Sequence, residues 1–371
     1  MNTIIIGGGQ AGITLSYFLQ QRGVEHLVLE RDRAFSAWHN CWDSFRLNTA
    51  NWMNTLPGMQ KPFAPHKAWY DTATREEALD YFSAYRQMVN PPLKEGITVT
   101  QVAEGENTWH VHTDTKTYQT TNVAICTGHA AQPFIPDTAK NLPQTTPQLH
   151  SSTYRNPDQI TTANVLIVGS GSSGVQICLD LAQSDQFENL SFALSGNGVV
   201  PWSILGIPIG VFSRMLPIFE IQRQTLIGRR IMHQWQGGDP AMAPSPRWLS
   251  KHYGVQRVGR VIDADHRGIV CADGEIVSTE NLTVLWCTGF RPDHKFIRVH
   301  HPESAFDKNG PIHRRGVCIP GLFFVGLKFQ HTVGSHLLRG VGRDAEYIAQ
   351  KIAERNTLKC LVNKTTPSAW A

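Results

Sequence analysis

Thr3-Ile4-Ile5-Ile6-Gly7-Gly8-Gly9-Gln10-Ala11-Gly12 lies at the start of the chain and decides the reading of its fold. The β-branched run before the glycines reads as a buried strand. An apolar-periodic helix follows to about residue 22, carrying Ile13, Leu15, Tyr17, Phe18 and Leu19, and Gly23 ends it. A second strand, His26-Leu27-Val28-Leu29, closes on Glu30. Strand, Gly-x-Gly-x-x-Gly, helix, strand and acid form the pattern of a dinucleotide site. Gly7 permits the tight turn, Gly9 lets the backbone approach a pyrophosphate, and Gly12 allows helix and strand to pack closely. The helix N-terminus favours phosphate charge. Glu30, 18 residues after Gly12, stands where an acid accepts from ribose hydroxyls.

The pattern returns. Asn164-Val165-Leu166-Ile167-Val168 leads into Gly169-Ser170-Gly171-Ser172-Ser173-Gly174, a helix over about 175–182, and a strand Ser191-Phe192-Ala193-Leu194 that runs into Ser195. Each glycine motif also has an echo. Asn122-Val123-Ala124-Ile125 precedes Cys126-Thr127-Gly128, and Thr283-Val284-Leu285-Trp286 precedes Cys287-Thr288-Gly289. Gly7 and Gly128 are 121 residues apart, Gly169 and Gly289 are 120 apart, so the spacing predicts two copies of one nucleotide-binding unit. A strand-rich stretch lies between the motifs of each copy, with a hairpin signal at Asp273-Gly274 in the second.

The two copies need not bind the same nucleotide. Glu30 suits an unphosphorylated ribose, as in FAD or NAD, whereas Ser195 offers no acid to repel a 2′-phosphate. One held FAD and one exchanging NADPH, with NADH as the alternative, is the economical reading, because one dinucleotide then passes electrons to the other. The expected fold is α/β with two Rossmann-like dinucleotide-binding domains, the second inserted in the first. Residues 1–153 and 286–371 would form the FAD-binding domain, and 154–285 the NAD(P)-binding domain, with an apolar insertion at about 199–250.

Composition narrows the class. Of 371 residues, 41% are apolar and 17% charged, which fits a folded chain. Thirty-four Lys and Arg against 30 Asp and Glu leave +4, with Arg229-Arg230 and Arg314-Arg315 as isolated pairs, so no nucleic-acid partner is expected. The seven cysteines include no Cys-x-x-Cys and no zinc spacing. That argues against a disulfide scaffold, a metal site and a dithiol reductase, and for a reducing, cytoplasmic compartment. The first Lys or Arg is Arg22, so no basic leader region is expected. The most apolar stretch, 199–213, is interrupted by Pro201 and Pro208 and falls short of a membrane span, so membrane contact is not expected.

In this arrangement the sequence resembles the class B flavin-dependent monooxygenases, which include flavin-containing, N-hydroxylating and Baeyer–Villiger monooxygenases. The resemblance rests on the two glycine motifs, the Thr-Gly turns at 127–128 and 288–289, Gly321-Leu322-Phe323-Phe324-Val325-Gly326, and Gly340-Val341-Gly342-Arg343-Asp344-Ala345. It covers nearly the whole chain. The family's fingerprint between the two units, F-x-G-x-x-x-H-x-x-x-(F/Y/W), is represented by His150 and Tyr154, while Gln144 and Thr146 replace its Phe and Gly. A closing Tyr is nearer the flavin-containing branch than the Baeyer–Villiger branch.

The resemblance implies that NADPH reduces FAD and that reduced flavin takes up O2 as a C4a-(hydro)peroxyflavin. One oxygen then passes to a small organic substrate, either an N or S nucleophile or a carbonyl. It also assigns Gly326 to the cofactor site. Asn48 is the catalytic candidate, because Leu47-Asn48-Thr49 followed by Leu56-Pro57 resembles the context of a family Asn that holds NADP and the oxygen adduct. Its amide can donate to an oxygen while accepting from the cofactor; a turn or cap role is the alternative. Relatives often carry Arg where this chain has Ser195, and Ser172, Ser173 or Arg214 are the substitutes for gripping a 2′-phosphate. Two rival activities use the same frame: an NAD(P)H oxidase or reductase, and a redox-sensing regulatory flavoprotein.

Trp38, Trp42 and Phe45 crowd the segment after Glu30 and suit either a wall for a flavin ring, with Trp38 foremost, or ordinary core. The apolar stretch 199–219 suits a roof over the active site, an extra layer, or a homodimer contact. Gly237-Gly238-Asp239-Pro240, Pro244 and Pro246 read as a loop. Gln330 to His336 precede a helix to about residue 355, whose N-terminus could face the flavin, with His331 and His336 nearby. Residues 359–371 read as a frayed tail.

Overall fold

In the computed structural model the opening strand lies inside a parallel sheet. The structure describes all residues except 61, 195–198, 201–202, 205–206, 209–210, 212–213, 215–217, 236–240, 243, 266, 309 and 366–371. β1 (Thr3–Ile6) is followed by α1 (Gln10–Gln21) and β2 (His26–Leu29), which pairs parallel with β1. Next come α2 (Ser36–His39), the antiparallel pair β3 (Arg46–Ala50) and β4 (Thr72–Thr74), α3 (Arg75–Val89) and β5 (Leu93–Lys94). An antiparallel meander, β6 (Val99–Glu104), β7 (Trp109–Thr113) and β8 (Thr117–Thr120), leads into β9 (Asn122–Ile125). The first sheet runs Val317–Ile319, Leu322–Phe324, β9, β1, β2, β5, parallel except for its first pair.

After β10 (Gln132–Pro133), the second sheet begins with β11 (Gln148–His150). It adds β12 (Asn164–Val168), crosses through α4 (Ser172–Ser184) to β13 (Asn189–Ala193), and takes in the strands Gln256–Val258 and Leu282–Trp286. Its order is β11, Leu282–Trp286, β12, β13, Gln256–Val258, parallel throughout. Strand for strand this repeats Leu322–Phe324, β9, β1, β2, β5 of the first sheet. A second antiparallel meander, Val261–Asp265, Gly268–Cys271 and Ile276–Val277, precedes Leu282–Trp286 as β6–β8 precede β9.

The continuous apolar strands follow from burial on both faces. Ile5, Val28 and Ala124 pack with α1 and the C-terminal helix Leu338–Thr365, while Ile4, Ile6, Val123 and Ile125 pack with the meander. Val165, Ile167 and Leu285 pack against α4, while Leu166, Val168 and Val284 pack against the second meander. Both units are therefore three layers deep, with helix on one face and meander on the other.

Two expectations are corrected. The C-terminal helix continues through Thr365, across residues read as a tail, because the chain has no helix breaker before Pro367. Residues around Pro246 are not all loop. Pro246–Tyr253 is a helix whose N-cap, Ser245, accepts from the Trp248 N–H, and Pro246 stands at a first-turn position where its missing N–H costs nothing. Among the described residues no helix is long and apolar enough to cross a membrane.

Candidate dinucleotide-binding site

The two glycine loops have nearly the same local geometry. Gly7 has φ +108° and Gly169 φ +107°, backbone that disfavours any side chain. A Cβ on Gly7 would stand 2.6 Å from the Cys126 carbonyl oxygen, and one on Gly169 would stand 2.5 Å from that of Cys287. A Cβ on Gly12 would lie 1.9 Å from the Gly7 oxygen, and one on Gly174 would lie 1.8 Å from the Gly169 oxygen. Gly9 and Gly171 differ: nothing lies within 4 Å of where their Cβ atoms would be. Each is the N-cap of its helix, α1 or α4, without a side-chain cap, and neither helix has an acid in its first turn. Close packing on one side and an open approach to uncapped N–H groups on the other fit the pyrophosphate of a dinucleotide.

The Thr-Gly turns flank these loops. Cys126 N–H donates to Ile6 O and Cys287 N–H to Val168 O, each at 2.8 Å. Gly128 (φ +74°) and Gly289 (φ +85°) follow, both open where a side chain would stand. Thr127 is half-buried, and the Thr288 hydroxyl donates to the Phe134 carbonyl. A Cβ on Gly326 would come within 2.9 Å of Ala11 Cβ, so this segment rests on the start of α1. Gln10 Nε2 donates to the His336 carbonyl at 2.9 Å, and the His336 ring meets His129 edge-on at 5.5 Å. The first loop, its Thr-Gly turn and the segment before the C-terminal helix thus converge.

Glu30 is buried and already engaged. Its Oε2 accepts from Gly8 N–H at 2.6 Å and its Oε1 from Asp32 N–H at 2.9 Å. A carboxylate oxygen accepts more than one hydrogen bond, so Glu30 can brace the loop and still receive ribose hydroxyls. Ser172 and Ser173 are the half-buried first residues of α4. Ser195 lies outside the described residues.

The aromatic segment after Glu30 bridges the two units. Trp38 packs on Phe82 at 5.0 Å and edge-on to Phe45 at 6.0 Å, within the first unit's core. Trp42 is buried in the second unit's core with Tyr154, and Phe45 packs against both cores. Asn48 follows on β3. Gln176, one turn into α4, donates through Nε2 to Asn48 Oδ1 and to Arg46 O, each at 2.9 Å, and its Oε1 accepts from Arg46 N–H at 3.1 Å. Asn48 therefore belongs to a strand ahead of the second unit but touches the helix of the second glycine loop. Gln176 has no motif of its own; only the fold reveals it.

The linker fingerprint residues are structural anchors. His150 Nδ1 accepts from Ser152 N–H at 3.1 Å, so Nε2 carries the proton and donates to Gly289 O at 3.1 Å. Burial lowers its pKa and keeps the ring neutral. The Tyr154 hydroxyl donates to Asp180 Oδ2 on α4 at 2.6 Å, and burial raises its pKa.

The apolar insertion is described only in part. Its middle, 218–225, lies on the segment before the C-terminal helix: Val333 N–H donates to Ile221 O and Gly334 N–H to Phe219 O, each at 2.9 Å, and Arg223 N–H donates to His331 O at 3.0 Å. This part of the insertion thus makes its contact within the chain. The Arg214 guanidinium lies 5.2 Å from the Trp69 ring. The side chains of 199–210 and residues 212–213 and 215–217 lie outside the described set.

Among the described residues the cysteines are all free, and burial raises their thiols, to about 11 at Cys41, Cys271 and Cys318 and to about 12 at Cys178. Such thiols are poor nucleophiles at neutral pH. No group of three or more metal-ligating side chains occurs among the described residues.

Comparison with known proteins agrees with this geometry. The pyridine nucleotide-disulphide oxidoreductase family matches residues 4–188. An uncharacterized oxidoreductase, CzcO, of Bacillus subtilis (strain 168) is 32% identical over 95% of this chain and 99% of its own length. A probable indole-3-pyruvate monooxygenase, YUCCA4 of Arabidopsis thaliana, is 26% identical over 59% of this chain and 53% of its own. A flavin-containing monooxygenase from Stenotrophomonas maltophilia shares the fold with a TM-score of 0.73, at 22% identity, over 97% of this chain and 98% of that one. The chain thus belongs to the CzcO family of oxidoreductases and carries the two-unit dinucleotide-binding fold of the flavin-containing monooxygenases.

Proposed function

We propose that this chain is an FAD-dependent, NADPH-consuming monooxygenase that transfers one oxygen of O2 to a small organic substrate, an N or S nucleophile or a carbonyl. The observation that carries the reading is the pair of matched glycine cradles joined across the units by the Gln176–Asn48 contact. Gly7, Gly9, Gly12, Glu30, Thr127, Gly128 and Gly326 would hold FAD, with Trp38 beside them. Gly169, Gly171, Ser172, Ser173, Gly174, Thr288 and Gly289, together with Ser195, would hold NADPH, NADH being the alternative. The unit around the first sheet would be the FAD-binding domain and the unit around the second the NAD(P)-binding domain. When bound, the flavin would supply the redox chemistry, hydride acceptance and activation of O2.

The chain's own residues bind, orient and exclude water. The uncapped N–H groups of α1 and α4 would bind the two pyrophosphates. Asn48 would present its amide N–H to the oxygen being transferred. The part of the insertion seated on 331–334 would help keep the site dry. A disulfide-reducing role is disfavoured, because the described thiols are unpaired and their pKa values are raised wherever a shift is resolved. The free thiols also suit a reducing, cytoplasmic compartment.

The test is a stopped-flow spectrum. The purified protein, with bound FAD confirmed, is reduced anaerobically by NADPH and mixed with oxygenated buffer. A long-lived absorbance band to the blue of oxidised flavin supports oxygen transfer. Direct return to oxidised flavin with stoichiometric peroxide, unchanged by any candidate substrate, makes the protein an oxidase. Failure of NADPH and NADH alike to reduce the flavin overturns the proposal in favour of a sensing role.

A further inference from the structure

We infer that Gln176 is a positioning residue that couples occupancy of the second glycine loop to the orientation of Asn48. The inference rests on reading that loop as a nicotinamide nucleotide site. Gln176 treats β3 as a neighbouring strand would, accepting from Arg46 N–H at 3.1 Å and donating to Arg46 O at 2.9 Å. Because the backbone fixes which partner donates, it also fixes which end of the Gln176 amide is nitrogen. That nitrogen has one proton left, and it goes to Asn48 Oδ1 at 2.9 Å. The Asn48 amide is thereby fixed in turn. A flip would set two N–H donors against each other, so Oδ1 stays on Gln176 and Nδ2 keeps its protons for another acceptor. Among the described residues no hydrogen bond to Asn48 Nδ2 is found.

The chain of contact is short and stiff. α4 starts at Ser172, and Gln176 lies four residues further, about one turn from the N–H groups that would meet a phosphate. A nucleotide that orders or shifts this first turn carries Gln176 with it, and through Gln176 both the backbone of β3 and the Asn48 amide. A site residue held on a strand and braced by a helix keeps its geometry better than one on a free loop. The side chain also joins an element that precedes the second sheet to the helix of its glycine motif, one tie between the units beside the packing of Trp42 and Phe45.

The experiment is hydrogen exchange on the FAD-loaded protein, with and without NADP+, following peptides over 44–50 and 169–176 in the wild type, Gln176→Leu and the near-isosteric Gln176→Glu. In the wild type, NADP+ is expected to slow exchange in both peptides. In Gln176→Leu it should still slow 169–176 but no longer slow 44–50, and without nucleotide the Arg46 amide should exchange about three- to tenfold faster than in the wild type, whereas Gln176→Glu keeps an oxygen for the Arg46 N–H and should keep that amide protected while losing the donor to Asn48. Peroxide released per NADPH should rise while the KM for NADPH holds, a split that general destabilisation does not produce. Nucleotide-dependent slowing of 44–50 that persists in Gln176→Leu overturns the inference and leaves the nucleotide site standing. Absence of slowing at 169–176 in the wild type, with FAD still bound, overturns the nucleotide reading and the inference with it.

Discussion

At Gly12 the space for a side chain is already occupied, since the Gly7 carbonyl oxygen would lie 1.9 Å from a Cβ there. At Gly171 nothing lies within 4 Å. The two glycines stand in separate copies of one motif; the protein itself constrains Gly12, whereas on the proposed reading a bound nucleotide would constrain Gly171. Gly12→Ala should therefore force the loop apart, lower stability by about 1–3 kcal/mol and yield protein largely without FAD, checked by thermal melting and flavin absorbance of the purified variant. Gly171→Ala should cost less than about 1 kcal/mol of stability, the difference between Gly and Ala at a helix N-cap. It should keep its FAD and raise the KM for NADPH, because the added methyl group occupies the open approach. Equal loss of FAD in both variants would contradict this division. The glycines and Glu30 are legible in the sequence because their constraint is local backbone geometry. Gln176 is not, because its partners lie 128–130 residues away and no spacing encodes them.

At the scale of elements, β1, β2, β9 and β12 are readable because each is buried on both faces and so appears as an unbroken apolar run. α3 is harder to see, although it has a start signal: Thr74 Oγ1 accepts from Glu77 N–H at 3.3 Å and the Glu77 carboxylate accepts from Thr74 N–H at 2.7 Å. Burial alone would raise the Glu77 pKa, but the Thr74 N–H, Lys67 and His66 outweigh it and hold the carboxyl at about 2. A carboxyl whose folded pKa is depressed lends stability above its ordinary range, and that stability is lost as pH falls from about 4.5 towards 2. Thr74→Ala should cost about 1 kcal/mol at pH 7, read as a shift in the urea midpoint. Glu77→Gln should also be destabilising at pH 7, with a deficit that shrinks as pH is lowered through that window. A deficit independent of pH would mean that packing, not charge, is what Glu77 supplies. β3 and β4 carry no comparable signal: they form a short two-stranded pair held partly by Gln176, so their reason for existing is tertiary.

For the whole molecule, duplication is the legible feature, since near-equal motif spacing becomes two sheets with the same strand order. What the sequence conceals is how the copies are stitched together. β11, before position 154, joins the second sheet, and 218–225 returns to lie on 331–334. Two of these stitches hold a histidine: His150 of β11 donates to Gly289 O, and His313 faces Arg223. Burial lowers the pKa of His26, His150 and His294, and burial followed by the nearby Arg223 guanidinium brings His313 down to about 4. His313 sits at the junction with the insertion: its Nδ1 accepts from Gly316 N–H at 3.0 Å, and Arg223 Nη1 lies 3.4 Å from its Nε2. In the unfolded chain these rings take up a proton near pH 6.5, while in the folded chain they resist it. The unfolded state then binds more protons, so stability is complete above about pH 6.5 and falls as pH drops towards 4. The melting temperature should therefore decline between pH 7 and pH 4.5. His313→Gln, which has an acceptor for the Gly316 N–H but no proton to gain, should decline less, by an amount on the order of 2 kcal/mol at the acid end. Parallel decline of both proteins would place the acid sensitivity in the other buried histidines, away from the seam between the insertion and the C-terminal segment.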